Sequence, residues 1–449
     1  MAENKNTFMT REGEETAPMQ AILVGVVTRD DDAEEVEVSL DELARLLDTA
    51  GGEVFARVVQ NKATPDPRTL IGSGKVGELA ELCRNNQVGL VVFDCDLTPV
   101  QIRNLEDDIR GKATDGDNSM ELRVIDRSML ILDIFALHAV TGEGKLQVEL
   151  AQLKYTAPRL MGKGTEMSRL GGGIGTRGPG ESKLESDRRH MRRRITALEN
   201  ELEILDKNRR TMRASRDKSG IAKVAIVGYT NAGKSTLLNR LTDAGILAED
   251  KLFATLDPTT RKFELPGGES ILLTDTVGFI RNLPHHLVKA FKSTLDEAVY
   301  ADVLMILVDA SDEEYPTQLR VTQELLAELG AAGKPTLYVF NKCDAGIACP
   351  PSSVINTDDE YSVCISAKNG KGVDKLAEML ETILHNGKTR ATFIIPNAEQ
   401  GALNILYKNA TVENVEYGAD GVTVQATVDE KTRGMLRKYD TDPPRREEE

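Results

Sequence analysis

Residues 228 to 235 read Gly228-Tyr229-Thr230-Asn231-Ala232-Gly233-Lys234-Ser235, and this stretch decides the fold of the segment around it. It follows a short apolar run of strand type, residues 224–227, and leads into a helical pattern that begins at Thr236. A strand, a glycine-rich turn and a helix in this order are typical of a phosphate-binding P-loop. The glycines let backbone N–H groups point inward at a β-phosphate, and the helix N-terminus adds its dipole. A chance glycine-rich turn is the competing interpretation, which the flanking strand and helix disfavour.

Two side chains of this pattern and a second motif carry specific phosphate chemistry. Lys234 can reach the β- and γ-phosphates, and the Ser235 hydroxyl can bind Mg²⁺. Downstream, Asp275-Thr276-Val277-Gly278 ends another apolar run, as a DxxG element does. We expect Asp275 to hold the metal through water and the Gly278 N–H to contact the γ-phosphate.

Two later motifs indicate which base is bound. Asn341-Lys342-Cys343-Asp344 and Ser366-Ala367-Lys368 each follow a further run of strand type. Asp344 can accept both hydrogen bonds from the N1–H and the exocyclic amine of guanine. Adenine lacks this donor pair, so an unpaired buried carboxylate would penalise ATP. The second motif supplies a backbone N–H for O6 of guanine. Four motifs in this order predict a GTPase domain.

The loop Phe253-Ala254-Thr255-Leu256-Asp257, between the first two motifs, has the position of a nucleotide-sensing switch. Such a loop needs a threonine whose hydroxyl binds Mg²⁺ and whose N–H contacts the γ-phosphate, so that hydrolysis releases the loop. Thr255 is our choice, and Thr259 and Thr260 remain competitors that spacing alone does not exclude. We therefore assign catalysis to Lys234, Thr255 and Gly278, metal binding to Ser235 and Thr255, and nucleotide contacts to all residues of the five motifs quoted so far.

Phe279 stands directly after Gly278, where many GTPases carry a glutamine that orients the attacking water. A phenyl ring cannot position water by hydrogen bonding. Intrinsic hydrolysis should therefore be slow, or another group, for example one from a partner, must orient the water. The plainer interpretation, that Phe279 packs into the core, is compatible with this one.

Length and composition bound the class of protein. A chain of 449 residues predicts two to four domains, and its net charge of −16 means that nucleic-acid binding would need a local basic patch. No apolar run reaches membrane-spanning length, and residues 1–15 are polar and acidic, unlike a signal peptide. Five cysteines without a CxxC pair are typical of a reduced, cytoplasmic protein.

Strand and helix patterns predict an α/β multidomain fold. The first parts are a disordered leader at 1–20, an N-terminal α/β domain at 21–136, and a helical hairpin linker with a glycine-rich loop at 137–217. The others are a P-loop GTPase domain, with a mostly parallel sheet flanked by helices, at 218–388, a small α+β C-terminal module at 389–440, and a disordered tail at 441–449. Gly72-Ser73-Gly74-Lys75 lacks the P-loop spacing, so we interpret it as a turn that opens a helix, with nucleotide binding as the minority hypothesis.

The predicted hairpin has a local excess of positive charge. Its second helix carries six basic residues near its start, which are Lys183, Arg188, Arg189, Arg192, Arg193 and Arg194. Glycines in the preceding loop, residues 171–180, allow close backbone approach to phosphates, and arginines add bidentate contacts. This pattern favours structured RNA as the partner. The alternative is a solvated helix face paired with Glu185 and Asp187.

These segments resemble the HflX family of ribosome-associated GTPases. The resemblance rests on the P-loop, switch and DxxG motifs, on Gln147-Val148-Glu149-Leu150-Ala151-Gln152-Leu153, and on Gly171-Gly172-Gly173-Ile174-Gly175-Thr176-Arg177-Gly178-Pro179-Gly180-Glu181. It implies an N-terminal α/β domain with a helical linker, a GTPase domain, and Mg²⁺ on Ser235 and Thr255. It also implies binding to the large ribosomal subunit, splitting of stalled or hibernating ribosomes, and GTPase stimulation by the ribosome.

Two other functions stay open at this point. One is a GTP-gated assembly factor that binds the large subunit during maturation and separates nothing, and the other is a metabolic or stress-sensing switch that acts on a protein partner. No internal repeat or heptad pattern demands self-association, so we expect a monomer that binds GTP and GDP.

Overall fold

The computed structural model describes residues 19–111, 122–159, 179–217, 221–242, 252–253, 256–284, 287–288, 291–355, 361–386, 388–397, 399–418 and 421–441. Most of the predicted leader, most of the predicted tail, most of the glycine-rich loop, and the switch residues Ala254 and Thr255 lie outside these ranges. Within them, no helix is both long enough and apolar enough to cross a membrane.

The N-terminal part contains a four-stranded parallel sheet. Its strands are β1 (Met19–Val27), β2 (Gly52–Asn61), β3 (Leu90–Phe93) and β4 (Arg123–Asp126), in the order β2-β1-β3-β4. The connecting helices are α1 (Ala33–Thr49), α2 (Ser73–Asn86) and α3 (Pro99–Arg110). Side chains of β1 alternate between two apolar clusters, with Leu23 in one and Ile22 in the other, because helices cover both faces of the sheet. Helix α2 begins directly after Gly72, as the turn interpretation predicts.

Three helices join this sheet to the next domain. They are α4 (Arg127–His138), α5 (Gly142–Thr156) and α6 (Pro179–Asp217). Helix α4 is buried along most of its length, so it forms part of the core between the two domains. Helices α5 and α6 pack along each other as the predicted hairpin, and Lys154 pairs with Glu199 across them at 2.7 Å.

The second sheet has six strands. Neighbouring strands run parallel, except that β6 and β7 are antiparallel. Its strands are β5 (Lys223–Gly228), β6 (Thr259–Glu264), β7 (Ser270–Asp275), β8 (Val303–Asp309), β9 (Thr336–Asn341) and β10 (Tyr361–Cys364), in the order β10-β9-β8-β5-β7-β6. Its helices are α7 (Lys234–Thr242), α8 (Lys292–Tyr300), α9 (Tyr315–Glu328) and α10 (Val373–His385). The four predicted motifs follow β5, β7, β9 and β10. Because these strands are parallel, the motifs meet at one edge of the sheet, where such folds bind ligands.

The C-terminal module is a three-stranded antiparallel sheet with two helices. It comprises β11 (Lys388–Ile395), α11 (Gln400–Asn409), β12 (Thr411–Tyr417), β13 (Val422–Asp429) and α12 (Glu430–Met435), with strand order β11-β13-β12. Phe393, Leu406 and Val424 are fully buried in its own small core. Strand β12 and helix α12 are additions that the sequence pattern did not predict.

Candidate guanine-nucleotide site

The turn between β5 and α7 has the tight backbone of a P-loop. Gly228 has a φ of 148°, and a Cβ there would lie 2.2 Å from the carbonyl oxygen of Leu307. Gly233 has a φ of 95°, and a Cβ there would lie 2.4 Å from Nδ2 of Asn341. Both positions therefore require glycine, for the backbone angle and for the space.

Lys234 holds its amino group inside this turn. Its Nζ donates to the carbonyl oxygens of Tyr229 at 2.9 Å and Gly228 at 3.2 Å, and the residue is only 7% exposed. Burial lowers the pKa of Lys234 to about 8, while the nearby carboxylate of Asp275 acts in the opposite direction. An ammonium with so little water around it gains strongly from an anion, which is the property needed to bind the β- and γ-phosphates.

Ser235 and Asp275 form the oxygen pair that a magnesium ion needs. Ser235 Oγ donates to Asp275 Oδ2 at 2.7 Å, and Asp275 is fully buried at the end of β7. Mg²⁺ prefers oxygen ligands and binds at phosphate sites through few protein groups. The pair therefore fits the ion, for which Ser235 would be a direct ligand and Asp275 would act through water. Bound there, Mg²⁺ would neutralise charge on the β- and γ-phosphates.

The DxxG segment lies directly on the P-loop. A Cβ at Gly278 would lie 2.6 Å from Cγ2 of Thr230 and 2.9 Å from Nζ of Lys234. The next residue, Phe279, donates its N–H to the Gly228 carbonyl at 3.1 Å and accepts from the Thr230 N–H at 2.8 Å. Its ring is 1% exposed, which confirms that it packs into the core. Position 279 therefore offers no side chain to orient a hydrolytic water.

Asn341 ties the guanine motifs to the P-loop. Its side chain is buried, Nδ2 donates to the Ala232 carbonyl at 2.8 Å, and Oδ1 accepts from the Ala367 N–H at 2.9 Å. One amide thus joins three of the four motifs. Lys342 follows with a φ of 61°, and its Nζ pairs with Asp309 at 2.6 Å, which fixes the loop after β9.

Asp344, the predicted reader of guanine, is near the solvent. It accepts from Nδ2 of Asn369 at 3.2 Å, and a hydrogen bond from Ser366 holds its pKa below the usual value. An ionised carboxylate in this position suits a base that presents two donors. Lys368 accepts from Arg240 through its carbonyl oxygen at 3.2 Å. The Cys343 thiol donates to the Phe340 carbonyl at 3.1 Å, and burial raises its pKa to about 11, so it is structural.

The described switch residues contact the N-terminal part of the chain. The Phe253 ring meets Phe135 edge to face at 4.8 Å, and Leu256 is buried in the same cluster. Asp257 accepts from the backbone N–H of Val140 at 3.0 Å and of Thr141 at 2.8 Å, at the start of α5. Their role as nucleotide contacts stays a prediction, as does the choice of Thr255.

The predicted RNA-facing arginines differ in their surroundings. Arg189, Arg192 and Arg193 are exposed on α6. Arg194 instead makes a bidentate ion pair with Glu149 of α5, with both distances 2.7 Å, so it joins the two helices of the hairpin. Arg188 is half-buried, and the side chain of Lys183 lies outside the described part.

Three family models match successive parts of the chain. They are "GTP-binding GTPase N-terminal" over residues 37–136, "GTP-binding GTPase Middle Region" over 138–216, and "50S ribosome-binding GTPase" over 223–342.

Individual proteins match over nearly the full length. GTPase HflX of Lacrimispora saccharolytica is 50% identical over 91% of this chain and 93% of its own. GTPase HflX of Escherichia coli is 41% identical over 90% and 91%. The solved structure of a GTP-binding protein from the hyperthermophilic archaeon Sulfolobus solfataricus in complex with GDP is 25% identical, covers 82% of this chain and 99% of its own, and has a TM-score of 0.43.

The relatives agree with what the residues show. The four predicted nucleotide motifs lie at one edge of a P-loop sheet, and identities of 41 to 50% extend over nine tenths of the chain. The chain therefore belongs to the GTPase HflX family, and it binds GTP and GDP and hydrolyses GTP.

Proposed function

We propose that this GTPase acts on the ribosome. It binds the large subunit, splits stalled or hibernating ribosomes into their subunits, and hydrolyses GTP faster when the ribosome is bound. The observation that carries the proposal is the basic face of α6 in an otherwise acidic chain. The match of residues 223–342 to a family described as "50S ribosome-binding GTPase" points to the same partner.

The basic face has the chemistry of an RNA contact. Arg189, Arg192 and Arg193 are exposed on a helix of 39 residues, while the whole chain has a net charge of −16. A helix of this length extends for about 58 Å, so it can reach well beyond the GTPase domain. Arginines bind phosphates through paired N–H groups, and three of them on one face suit a folded RNA surface.

A chain of contacts links the nucleotide to this hairpin. Asp257, two residues after the proposed switch threonine, accepts hydrogen bonds from Val140 and Thr141, the two residues directly before α5. Helix α5 is joined to α6 by Arg194 with Glu149 and by Arg209 with Glu143. We infer that loss of the γ-phosphate releases the switch, changes its hold on α5, and lowers the affinity of the hairpin for RNA.

The buried ring of Phe279 accounts for stimulation by the partner. No side chain at that position can orient water, so a group contributed by the ribosome completes the site. We place the protein in the cytoplasm, partly ribosome-associated and monomeric, because its partner is there and nothing in the proposed contact requires a second copy. Mg²⁺ on Ser235 and Thr255 accompanies the nucleotide.

Separation of subunits is the test of this function. Intact ribosomes are mixed with the protein and a non-hydrolysable GTP analogue, and free subunits are followed by light scattering and by sucrose-gradient sedimentation. The proposal expects subunits to separate with the wild-type protein and to stay joined with Lys234→Ala, which lacks the phosphate-binding amine.

Stable binding to large subunits with no separation of intact ribosomes would instead identify an assembly factor. Absence of binding to either particle would exclude both functions and favour a switch that acts on a protein partner.

A further inference from the structure

Four residues from distant parts of the chain close a ring of hydrogen bonds beside the P-loop. The Tyr229 hydroxyl donates to Glu42 Oε1 at 2.5 Å and accepts from the Arg281 backbone N–H at 2.6 Å. Nη1 of Arg127 donates to Glu42 Oε2 at 3.2 Å and to the Arg281 carbonyl oxygen at 3.1 Å. We name Glu42, Arg127, Tyr229 and Arg281 the switch ring. Two of its members belong to helices of the N-terminal part and two to the nucleotide site.

Three members of the switch ring are buried, and every N–H group of Arg127 has an acceptor. Arg127 is 1% exposed, Tyr229 7% and Glu42 9%. All five N–H groups of Arg127 have an acceptor, because Nε donates to Asp94 and Nη2 donates to both the carbonyl and the hydroxyl oxygen of Ser39. Hydrogen bonds to charged groups in such surroundings are strong, and their loss leaves buried polar atoms unpaired.

The residue types suit this arrangement. A tyrosine hydroxyl can accept one hydrogen bond and donate another, which phenylalanine cannot do. Burial, and then the charge of Glu42, raise the pKa of Tyr229, so its proton remains available for donation to Glu42. The sequence motif predicts that Tyr229 contacts the nucleotide. In the fold its hydroxyl contacts Glu42 of the N-terminal domain, whereas its backbone carbonyl contacts Lys234 in the P-loop.

The ring connects directly to the groups that handle phosphate. The carbonyl oxygen of Tyr229 accepts from Nζ of Lys234 at 2.9 Å. Arg281 lies three residues after Gly278, and Phe279 between them makes two backbone hydrogen bonds to the P-loop. A shift of Tyr229 would therefore displace the amino group of Lys234, and a shift of Arg281 would displace the N–H of Gly278. Small displacements of groups that contact a reacting phosphate greatly lower the rate of hydrolysis.

We propose that Tyr229, Glu42 and Arg127 are positioning residues for GTP hydrolysis. Through the switch ring, the N-terminal domain holds the Gly278 segment against the P-loop in the geometry that hydrolysis needs. None of the three side chains touches the nucleotide in this account. The proposal rests on the GTPase activity alone, and ribosome binding does not enter it.

The test compares hydrolysis of bound GTP with nucleotide affinity, on the full-length protein and without ribosomes. For Tyr229→Phe we expect the single-turnover rate constant to fall about tenfold, the equivalent of one hydrogen bond, while the GDP dissociation constant stays within about twofold. Glu42→Gln should act in the same direction, because the new amide N–H₂ faces a hydroxyl that must donate. If the ring acts as a unit, the double variant is no slower than the slower single variant.

Two matched controls separate this role from general loss of stability. Tyr338→Phe removes a hydroxyl that accepts from Gln323 at 3.1 Å elsewhere in the GTPase domain. Asp41→Asn changes the residue next to Glu42 in the sequence; Asp41 itself pairs with Arg57 on the surface. Both should keep the wild-type rate constant. Arg127 is left intact, because its loss would remove the cation that pairs with Glu42 and with the half-buried Asp94 and would endanger folding.

Three results would overturn the proposal. They are an unchanged rate constant in both Tyr229→Phe and Glu42→Gln, an equal loss of GDP affinity and rate, and a double variant whose loss is the product of the two single losses. Melting temperatures measured beside the rates show that each variant is folded. Failure here leaves the ribosomal proposal untouched, because no ribosome is present in the assay.

Discussion

Lys234 keeps its ammonium group among main-chain carbonyl oxygens, where burial lowers its pKa to about 8. The phosphates of GDP bring negative charge beside this amine and raise its pKa again. Below pH 8 the amine is charged in both the free and the bound protein. Above pH 8 the free amine is neutral, so GDP binding takes up a proton, and affinity falls as the pH rises through the free-state pKa.

We expect GDP binding at a pH of about 8.5 to be accompanied by net proton uptake at Lys234. Calorimetry in two buffers with different ionisation enthalpies measures this uptake directly. At a pH of about 7 the same experiment should show little uptake from this group, which serves as the internal control. Equal heats in both buffers at the higher pH would contradict the assigned position of the amine.

Asp133 gives a second prediction at this scale. It is fully buried on α4, where Gln152 donates to Oδ1 at 3.3 Å and Oδ2 has no partner among the described residues. Burial raises its pKa to about 7. Because this folded value exceeds the unfolded one, the carboxyl group's contribution to stability is complete at low pH. It is lost as the pH rises from about 4 to about 7, at up to about 1.4 kcal/mol per pH unit.

Asp133→Asn removes the titration and keeps the shape of the side chain. We expect the variant to melt at a higher temperature than the wild type at a pH of about 7.5, with a difference that shrinks towards a pH of about 4. Asp107→Asn, at an exposed position on α3, should show no such trend. A constant difference between Asp133→Asn and the wild type across the pH range would contradict the buried, protonated carboxyl group.

Spacing along the chain predicts local geometry, and the P-loop and the guanine loop do take the tight backbone that their motifs predict. The nucleotide roles of Lys234 and Asn341 stay predictions. Arg127 could not be found in this way, since its contact with Arg281 spans 154 positions and only the folded chain brings them together. One signal in the sequence could have indicated the switch ring. Tyr229 lies in the P-loop, where backbone N–H groups bind the phosphates and a tyrosine hydroxyl is not needed.

At the scale of elements, the start of α5 depends on a carboxylate from the switch segment. Asp257 accepts from the N–H of Val140, from the N–H of Thr141 and, at 2.5 Å, from the Thr141 hydroxyl. A glycine lies within the same turn, where a Cβ at Gly144 would be 2.6 Å from Asp257 Oδ1. The first turn of the hairpin and the switch are therefore packed as one unit.

Asp257→Ala should loosen this unit. We expect amide hydrogen exchange at Val140 and Thr141 to speed up by about tenfold, the consequence of losing acceptors worth about 1–2 kcal/mol. Asp31→Ala is the matched control, because Asp31 accepts from the N–H and hydroxyl of Thr28 in a loop after β1. Unchanged exchange at the start of α5 in Asp257→Ala would mean that the switch does not hold the hairpin.

Element prediction depended on apolar periodicity. The GTPase motifs lie at the ends of strands because those strands are continuous apolar runs. Helix α1 begins at Ala33, where its first turn is acidic and capped by Asp32, so apolar periodicity does not mark its start. Strand β12 was not predicted, because Glu413 and Glu416 interrupt its apolar pattern. Antiparallel pairing with β13 stabilises this strand, and the local sequence does not indicate that pairing.

For the whole molecule, charge is segregated in a way that the net value conceals. The arginines exposed on α6 form a positively charged surface, although the whole chain has a net charge of −16. If they bind phosphates, reversal of Arg189, Arg192 and Arg193 to Glu should weaken large-subunit binding and reduce the slope of log affinity against log salt by about 0.7 to 0.9 per lost contact. Binding measured by sedimentation at several salt concentrations gives this slope.

The control for this variant reverses the same number of charges elsewhere. Arg57, Arg68 and Lys438 are exposed cations in surface ion pairs on the N-terminal and C-terminal parts. Their reversal changes the net charge equally and should leave the slope nearly unchanged. The RNA-binding role of α6 would be wrong if both triple variants behaved alike, since that result reflects only overall charge.

The sequence was enough to predict which domains the molecule contains, but not which of their surfaces pack together. Periodicity and motifs predict α/β parts joined by a hairpin, and the structure has two parallel-type sheets and an antiparallel module. The docking of α4 and α1 against the switches follows from residues such as Glu42 and Phe135, whose partners lie in another domain. Nothing in their local sequence distinguishes these positions from ordinary core or surface positions.

Phe279 stands where many GTPases carry a water-orienting glutamine, and the proposed function requires the ribosome to complete this active site. GTP turnover is therefore measured with and without purified large ribosomal subunits, with Lys234→Ala as the background. We expect slow turnover without subunits and stimulation of at least about tenfold with them, as for GTPases that receive a catalytic group from a partner. Fast turnover that large subunits leave unchanged would show that the enzyme orients its own water and needs no group from the ribosome.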